Sequence, residues 1–320
     1  MKVTVLGCGR WGSFLACYHS ERHDVTLWGP KEDYSFKVLQ EKRENSYIKL
    51  PDKIKLEDDL QKAVEGAEYI IISISAQALA GFCERLDKLD LSGKTFILCM
   101  KGIEAETGRR LSQIVDETIT QNVPVAVWVG PGHVQDFMRR IPNCMVVDSK
   151  DAEVSNRIVK DFNSDLIRLY VGTDLIGTEI GAAAKNVIGI AAGMLDGKNY
   201  ASLKGALMAR GAREVARLIK AMGGNELSAY GLCHLGDYEA TLFSQFSQNR
   251  MFGEKLIKNE PYDKLAEGAA TVAAMMKLGK QYNVELPICK SVYDVIYNKK
   301  DPETAMWELF RRTPKGEFYE

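Results

Sequence analysis

The stretch Val3-Thr4-Val5-Leu6-Gly7-Cys8-Gly9-Arg10-Trp11-Gly12 decides the fold of this chain. An apolar run, predicted to be a strand, leads directly into a G-x-G-x-x-G turn that opens a predicted helix. Gly7 permits the tight turn, Gly9 lets a pyrophosphate approach the main chain, and Gly12 allows the helix to pack closely on the strand. The helix N-terminus adds amide donors for an anion. The stretch therefore predicts the first βα unit of a dinucleotide-binding domain.

Strand-like and helix-like stretches alternate from residue 1 to about residue 172. The strands are short apolar runs without strict alternation, which is typical of strands covered on both faces. They are predicted at Val3–Leu6, Val25–Trp28, Tyr69–Ile74, Thr95–Met100, Val125–Val129, Cys144–Asp148 and Leu166–Val171. Helical patterns between them include Leu79–Leu89, Gly108–Ile119 and Ala152–Phe162. This order predicts an α/β, Rossmann-like domain with a doubly wound, mostly parallel sheet.

The second half of the chain has a different pattern, with helical spacing throughout. Helices are predicted at Ile180–Leu195, Leu203–Met222, Glu267–Tyr282 and Ser291–Asn298. At about 150 residues per domain, a chain of 320 residues is expected to form two domains. We predict a dinucleotide-binding domain of residues 1–174 and an all-α substrate and catalytic domain of residues 175–320.

The composition excludes several classes of protein. The chain is 46% hydrophobic and 27% charged, as in soluble globular proteins, and its net charge of −1 offers no basic surplus for nucleic acid. No uninterrupted apolar run reaches about 18 residues, so no membrane span is expected. The seven cysteines are scattered without a C-x-x-C pair, which indicates neither a zinc site nor a disulfide framework. With no signal peptide at the N-terminus, the expected compartment is the cytoplasm.

The end of the second predicted strand bears on coenzyme choice. It reads Leu27-Trp28-Gly29-Pro30-Lys31-Glu32, without the carboxylate that usually binds the ribose hydroxyls of NAD at this position. Lys31 could instead pair with the 2′-phosphate of NADPH. Because Glu32 and Asp33 are close by, the sequence favours NADPH over NADH only weakly.

Lys185 is the most informative single residue. It is the only ionisable residue between Ile180 and Leu195, among glycines and alanines that let other elements approach closely. Burial lowers the pKa of a lysine, and a second cation nearby lowers it further. A lysine tuned towards neutrality suits proton transfer to a carbonyl oxygen.

Further polar groups follow predicted strands or lie in the helical half. Lys101-Gly102-Ile103-Glu104 and Gly130-Pro131-Gly132 each follow a strand, at the carboxyl edge where doubly wound sheets bind ligands. Gly236-Asp237 supplies an acid, and Ser247-Gln248-Asn249-Arg250 supplies polar and cationic groups. The last two residues of that segment could bind a small anion such as a phosphate monoester.

Taken together, the sequence resembles the NAD(P)-dependent glycerol-3-phosphate dehydrogenases of the bacterial type over nearly its whole length. Besides the glycine turn, the matches are Lys101-Gly-Ile-Glu104, Gly130-Pro131, Arg168-x-Tyr170, Asp174-x-Ile-Gly177, Glu179, Lys185-Asn186, Arg210-Gly211, Gly231-Leu232, Leu235-Gly236-Asp237, Asn249-Arg250, Glu267-Gly268 and Glu285-Leu286-Pro287-Ile288. A set in this order is far more specific than any one motif.

The resemblance implies reduction of dihydroxyacetone phosphate to sn-glycerol 3-phosphate, which feeds phospholipid synthesis. It implies that Lys185 is the proton donor and acceptor, with Lys101 and Asp237 also catalytic. With the resemblance and the residues read together, the predicted substrate positions are Lys101, Gly130, Gly132, Lys185, Asn186, Asp237, Thr241, Ser247, Gln248, Asn249 and Arg250. The predicted cofactor positions are Gly7, Gly9, Arg10, Trp11, Gly12, Lys31, Lys101, Val134 and Glu267, of which Lys31 follows from the end of the second strand and not from the resemblance. No metal is expected, and the helical half could form the interface of a homodimer.

The sequence departs from the family pattern near the anion-binding positions. The family usually has Ser-Arg-Asn-Arg where this chain has Ser247-Gln248-Asn249-Arg250, so an arginine that touches substrate and cofactor is absent. Its Gly-Pro-Ser/Thr-Phe-Ala loop is Gly130-Pro131-Gly132-His133-Val134 here, and its Gly-Asp-Leu is Gly236-Asp237-Tyr238. Pro30 replaces an arginine that often follows the second strand.

Two other functions remain open from the sequence. One is a dehydrogenase of another small phosphorylated or acidic ketone, as in the related β-hydroxyacid dehydrogenases, which Gln248 favours. The other is a non-catalytic dinucleotide-binding regulator, which Lys101, Lys185 and Asp237 argue against.

The four histidines carry less information. His19 and His23 flank the first predicted helix and are expected at the surface. His133 and His234 adjoin the predicted site, and of these His133 is the better candidate for a polar role.

Overall fold

The computed structural model describes residues 1–318 and divides into two compact units. The first unit comprises Met1–Met100, Leu111–Trp128 and Gly132–Thr173. The second comprises Lys101–Arg110, Val129–Pro131 and the chain from Asp174 onward. Two short segments from the first half of the sequence thus belong to the second unit. The predicted ranges of 1–174 and 175–320 place both segments in the first domain instead.

The sheet of the first half has eight strands in the order β3-β2-β1-β4-β5-β6-β7-β8. The strands are β1 (Lys2–Leu6), β2 (Asp24–Trp28), β3 (Lys55–Glu57), β4 (Tyr69–Ile72), β5 (Thr95–Leu98), β6 (Val125–Val129), β7 (Asn143–Ser149) and β8 (Ile167–Val171). All pairs from β3 through β6 are parallel, and so is the pair of β7 and β8. The predicted fold class, a doubly wound, mostly parallel sheet followed by a helical region, is confirmed.

Helices cover the sheet and form most of the second unit. They are α1 (Arg10–Ser20), α2 (Tyr34–Lys42), α3 (Leu60–Val64), α4 (Leu79–Leu86), α5 (Leu111–Thr118), α6 (Val134–Met138), α7 (Ala152–Phe162), α8 (Leu175–Gly197), α9 (Lys204–Ala221), α10 (Gln248–Ile257), α11 (Glu267–Gln281), α12 (Pro287–Tyr297) and α13 (Pro302–Phe310). A π-helical turn spans Glu239–Phe243, and short 3₁₀ turns include Leu235–Asp237. The sequence reading missed β3, whose Lys-Leu-Glu sequence has no apolar run to mark it.

The expectation that His19 lies at the surface is wrong. His19 is in α1 and only 1% exposed, one helical turn after the fully buried Leu15. Its ring packs against Trp128 and Phe162, with ring centroids 5.6 and 4.7 Å away. The helix therefore turns this face towards the core, although the residue type suggested an exposed position. His23 is partly exposed.

The centre of the second unit is α8, whose small residues let neighbouring helices approach. A Cβ at Gly193 would lie 1.9 Å from the carbonyl oxygen of Arg250, and one at Gly253 would lie 2.1 Å from that of Ile190. The main chains of α8 and α10 are thus in direct contact. By length and composition α8 could cross a membrane, but 89% of its most apolar window is buried inside the protein. That burial is typical of a core helix.

Candidate active site

The glycine turn after β1 has the geometry of an anion cradle. Gly7 has a φ of +117°, and a Cβ there would lie 2.2 Å from the carbonyl oxygen of Ser73. A Cβ at Gly12 would lie 1.9 Å from the carbonyl oxygen of Gly7, so both positions require glycine. A Cβ at Gly9 would meet no atom within 4 Å, so the space at the start of α1 is open. Open space beside helix amides fits the pyrophosphate of a dinucleotide.

Of the predicted cofactor residues, Arg10 contacts α6 and Val134 is part of it. Arg10 donates a hydrogen bond to the side chain of Gln135. The side chain of Val134, the first residue of α6, is 3% exposed and packs in the core. The main chain is therefore the part of Val134 that is suited to a cofactor contact.

Trp11 and Gly132 meet in the same unit. The Trp11 ring packs against Phe137 with centroids 6.2 Å apart. A Cβ at Gly132 would lie 2.9 Å from both rings, so glycine here leaves the two aromatic residues room to pack.

The segment after β2 presents Lys31 at an exposed position. The acids that complicated the coenzyme prediction have other partners. Asp33 caps α2 by accepting from the amide of Phe36 at 3.1 Å, and Glu32 forms a 3.5 Å ion pair with Lys37.

The predicted catalytic lysine lies on α8 and is 7% exposed. Lys185 Nζ donates to Thr241 Oγ1 at 2.8 Å and forms an ion pair with Asp237 Oδ2 at 2.9 Å. Burial lowers the pKa of Lys185 to about 8, because an ammonium loses its hydration there. The charge of Asp237 opposes this shift and that of Lys101 adds to it.

Asp237 lies between two ammonium groups. Its Oδ2 is 2.6 Å from Lys101 Nζ, which also donates to the carbonyl oxygen of Gly130 at 2.7 Å. Asn186 holds the main chain of Lys101 through a 2.8 Å hydrogen bond from Nδ2 to its carbonyl oxygen. The structure therefore brings Lys101, Asn186, Lys185 and Asp237 together, as the resemblance implies.

Some polar capacity in this cluster is unused. An ammonium has three donors, and the contacts above use two from Lys185 and two from Lys101. Thr241 Oγ1 donates to the carbonyl oxygen of Asp237 at 2.7 Å, so its hydroxyl hydrogen is committed. Within residues 1–318, the buried Oδ1 of Asp237 has no hydrogen-bond partner. The cluster thus offers donors and one acceptor to a small ligand.

The start of α11 packs against α8 at Asn186, the residue after Lys185. A Cβ at Gly268 would be 2.7 Å from the carbonyl oxygen of Asn186, and the Gly268 amide donates to Asn249 Oδ1 at 2.9 Å. Burial raises the pKa of Glu267 to about 7, although Lys185 and Lys101 both act to lower it. Glu267 and Asn249 therefore lie near the cluster of Lys101, Lys185 and Asn186 in the second unit.

Ser247 and Gln248 mainly hold the local chain. The Ser247 hydroxyl caps α10 by accepting from the amide of Arg250 at 3.3 Å. Gln248 Oε1 accepts from the hydroxyl of Tyr262 at 2.7 Å.

Arg250 is paired with carboxylates. Its Nη1 lies 2.7 Å from Asp196 Oδ2 and 3.0 Å from Glu254 Oε2, and its Nε donates to the carbonyl oxygen of Ser244 at 3.0 Å. Among the residues that the structure describes, Nη2 has no hydrogen bond. The guanidinium is thus fixed in place with one nitrogen available.

Sequence reasoning missed two groups that support the site. Lys204 is 6% exposed and bonds Asp196 Oδ1 at 2.7 Å and the carbonyl oxygen of Leu242 at 2.9 Å. Arg110 forms a buried ion pair with Glu179 and so ties the segment containing Lys101 to α8. Nothing in the local sequence marks Arg110, because Glu179 is 69 residues away. Lys204 is not marked either, because Asp196, although only 8 residues away, lies on a different helix.

The glycine cradle on a doubly wound sheet and the buried lysine of the helical unit define a dinucleotide-dependent oxidoreductase. Residues 2–155 match the family model for the N-terminus of NAD-dependent glycerol-3-phosphate dehydrogenase, and residues 174–307 match the model for its C-terminus. The chain belongs to the NAD-dependent glycerol-3-phosphate dehydrogenase family. Within residues 1–318, no group of three His, Cys, Asp or Glu side chains could hold a metal ion.

Individual relatives agree with this family over the whole chain. The chain is 34% identical to glycerol-3-phosphate dehydrogenase [NAD(P)+] of Chlorobium phaeobacteroides, over 99% of both chains. It is also 34% identical to the enzyme of that name from Bacillus pumilus, over 99% of this chain and 96% of the relative. The crystal structure of glycerol-3-phosphate dehydrogenase from Coxiella burnetii superposes with a TM-score of 0.90 at 27% identity, covering 97% of this chain and 99% of that one.

Proposed function

We propose that the protein is an NAD(P)-dependent glycerol-3-phosphate dehydrogenase that reduces dihydroxyacetone phosphate to sn-glycerol 3-phosphate. Family membership supports the activity. The observation that carries the chemistry is the buried Lys185 ammonium, which has one donor unassigned and lies 2.9 Å from the carboxylate of Asp237. The product would feed phospholipid synthesis.

Lys185 is the proton donor in this proposal. The nicotinamide, when bound, supplies a hydride to the carbonyl carbon. The third N–H of Lys185 donates to the carbonyl oxygen and delivers its proton as that oxygen becomes a hydroxyl. A pKa of about 8 suits this step, because the ammonium is mostly protonated at neutral pH yet gives up its proton readily. In the reverse direction the neutral amine accepts the proton.

Asp237 and Lys101 position the substrate around that oxygen. The unpartnered Oδ1 of Asp237 accepts from the substrate hydroxyl, while Oδ2 keeps both ammonium groups in place. The remaining donor of Lys101 adds positive charge beside the developing alkoxide, which stabilises the transition state.

Arg250 and Asn249 bind the phosphate. Nη2 of Arg250 is the nitrogen without a hydrogen bond in the described chain, and Asn249 Nδ2 is a second donor from the same helix. Charge-assisted bonds to phosphate oxygens are roughly twice as strong as neutral ones. Asp196 and Glu254 hold the guanidinium in one orientation for this contact.

We further propose that NADPH is preferred over NADH, through Lys31. This lysine is exposed after β2, where no carboxylate stands at the strand end. We also propose a cytoplasmic homodimer that uses the helical unit. Light scattering of the purified protein would give its mass in solution.

Oxidation of NADPH with a panel of ketones tests the function. Dihydroxyacetone phosphate is expected to be reduced with a kcat/KM far above those of unphosphorylated dihydroxyacetone and of small α-keto acids. Preference for an acidic ketone would favour the related hydroxyacid chemistry. Tight NADPH binding without turnover of any ketone would instead indicate a regulator.

A further inference from the structure

Two buried aromatic residues flank Asp237 on the same short segment. His234 and Tyr238 are both 0% exposed. The Tyr238 hydroxyl lies 2.6 Å from His234 Nε2, and His234 Nδ1 lies 2.8 Å from the carbonyl oxygen of Gly181. A chain of hydrogen bonds therefore connects Tyr238 through His234 to α8.

The partners fix the direction of these bonds. A carbonyl oxygen only accepts, so His234 Nδ1 carries the hydrogen. Burial lowers the pKa of His234 to about 4, so the ring is neutral and its Nε2 is an acceptor. The Tyr238 hydroxyl therefore donates to Nε2, and each group in the chain is satisfied.

The attachment point on α8 is one turn before the catalytic lysine. In an α-helix, the carbonyl of Gly181 also accepts the amide of Lys185. A Cβ at Gly181 would lie 2.9 Å from Cys233 Sγ and 3.1 Å from His234 Cβ, so glycine is what allows this close approach. His234 thus anchors its segment directly to the turn that ends at Lys185.

Tyr238 anchors the other side of the segment. Its ring packs in a buried cluster with Ile188 and Ala192 of α8. These residues follow Lys185 along the helix, whereas Gly181 precedes it. The segment that carries Asp237 is therefore attached to α8 on both sides of Lys185.

We propose that the Tyr238–His234 hydrogen bond positions Asp237, holding its carboxylate against the ammonium of Lys185 during turnover. The inference rests on the proposed function. Both are positioning residues, since the contacts described above join them to α8 and to each other. The family resemblance places leucine at position 238, and leucine could not form this bond.

The pH dependence of reduction would report the positioning. Asp237 raises the pKa of Lys185 against the effect of burial, and the other charged or titratable groups that act on Lys185 are Lys101, Glu267 and His234. If Asp237 is held less tightly, the pKa of Lys185 falls. Reduction needs the protonated lysine, so the basic limb of the kcat profile would move to lower pH.

Tyr238→Phe in the full chain tests this step, because phenylalanine keeps the ring and removes only the donor. We expect a several-fold loss of kcat for dihydroxyacetone phosphate and a shift of the basic limb by roughly half a pH unit or more. Tyr18→Phe is the matched control, since the buried Tyr18 hydroxyl bonds the carbonyl oxygen of Phe162 at 2.9 Å in the first unit. A folded Tyr238→Phe protein with the wild-type kcat and limb would overturn the proposal.

His234→Asn provides a second variant, because the asparagine Nδ2 can still donate to Gly181, while the shorter side chain has no acceptor at the position of His234 Nε2. If the two residues act through one hydrogen bond, the double variant should have nearly the same kcat, and the same position of the basic limb of the pH profile, as His234→Asn alone. Full additivity of the two effects would refute the pair.

A measurement on the wild-type protein separates this inference from the proposed function. In ¹⁵N–¹H spectra of the ring nitrogens, His234 should carry hydrogen on Nδ1 and should not titrate between pH 8 and pH 6. A His234 ring that titrates in that range refutes the pair, even if the enzyme is active. Absence of ketone reduction by wild-type protein with a normal His234 spectrum would reject the function instead.

Discussion

Replacing Lys185 with methionine should remove turnover and leave the protein folded. Methionine keeps the apolar stem within α8 and deletes the ammonium. Asp237 retains its 2.6 Å ion pair with Lys101, so the substitution leaves no buried carboxylate without a partner. Stability should therefore change little, because the large cost of an unpaired buried charge is avoided.

The kinetic cost follows from the loss of the proton donor. General acid catalysis contributes about 10²–10⁴ in rate, which corresponds to roughly 2.7–5.4 kcal/mol at 1.36 kcal/mol per tenfold. The basic limb of the wild-type kcat profile, expected near pH 8 because the lysine must be protonated for reduction, should be absent from the residual activity. The affinity for NADPH should be nearly unchanged, since the glycine cradle belongs to the first unit.

Steady-state oxidation of NADPH measures kcat, and quenching of protein fluorescence measures coenzyme binding. Lys94→Met is the matched control. Lys94 is also buried, at 8% exposed, and its ammonium donates to the carbonyl oxygen of Ala67 at 3.4 Å in the first unit. This control should retain most of its kcat. A folded Lys185→Met enzyme that also retains most of its kcat would remove Lys185 from the mechanism.

Three further changes test separate parts of the interpretation. Lys31→Glu should weaken NADPH binding several-fold and leave NADH binding little changed, because a charge pair at an exposed site contributes little; an equal loss for both coenzymes contradicts the role of Lys31. Arg250→Ala should raise the KM for dihydroxyacetone phosphate at least tenfold, equivalent to about 1.4 kcal/mol, and barely affect the unphosphorylated ketone; equal effects on both would mean a structural role. His19 is buried, and both of its ring nitrogens are unpartnered in the described chain. Burial holds the pKa of His19 well below 6.5. Folding stability should therefore fall as the pH drops below about 6.5, because there only the unfolded state takes up the proton. His19→Phe should therefore show a smaller drop in Tm between pH 7.5 and pH 5.5, and an unchanged drop would show that other groups control acid stability.

Most of the fold was predictable because its signals are local. Short apolar runs locate strands that are covered on both faces, and the turn after β1 depends on three glycines within six residues. The edge strand β3 has no such run and was missed. The position of His19 shows a second limit. Which face of α1 packs on the sheet is decided by its neighbours in space, and they lie far along the chain.

The site was predictable to the extent that its residues are chemically out of place. Lys185 stands out as the sole charge in an apolar helix. Of the partners of Arg250, Glu254 could be expected from its i,i+4 spacing on one helix. Asp196 does not stand out, because it is an ordinary acid 54 residues away that meets the guanidinium only in the folded chain. The sequence also did not predict the hydrogen bond between His234 and Tyr238. It favoured His133 for a polar role instead.

Because Arg250 is paired with carboxylates, the absence of the family arginine at position 248 affects how much positive charge is available to bind a phosphate. Two carboxylates, Asp196 and Glu254, face Arg250 and Lys204, and Glu254 also pairs with the more exposed Lys258 at 2.6 Å. The two acids therefore offset two of the three positive charges of this cluster. A phosphate would meet a well-oriented donor there but little excess positive charge. Gln248 contacts the neutral Tyr262, so an arginine at this position would add a charge that the described contacts do not offset. Gln248→Arg should therefore lower the KM for dihydroxyacetone phosphate, or leave it unchanged if Arg250 already saturates the phosphate oxygens. Loss of activity towards every phosphorylated ketone in a folded Gln248→Arg protein would mean that the pocket around position 248 is shaped for a different substrate.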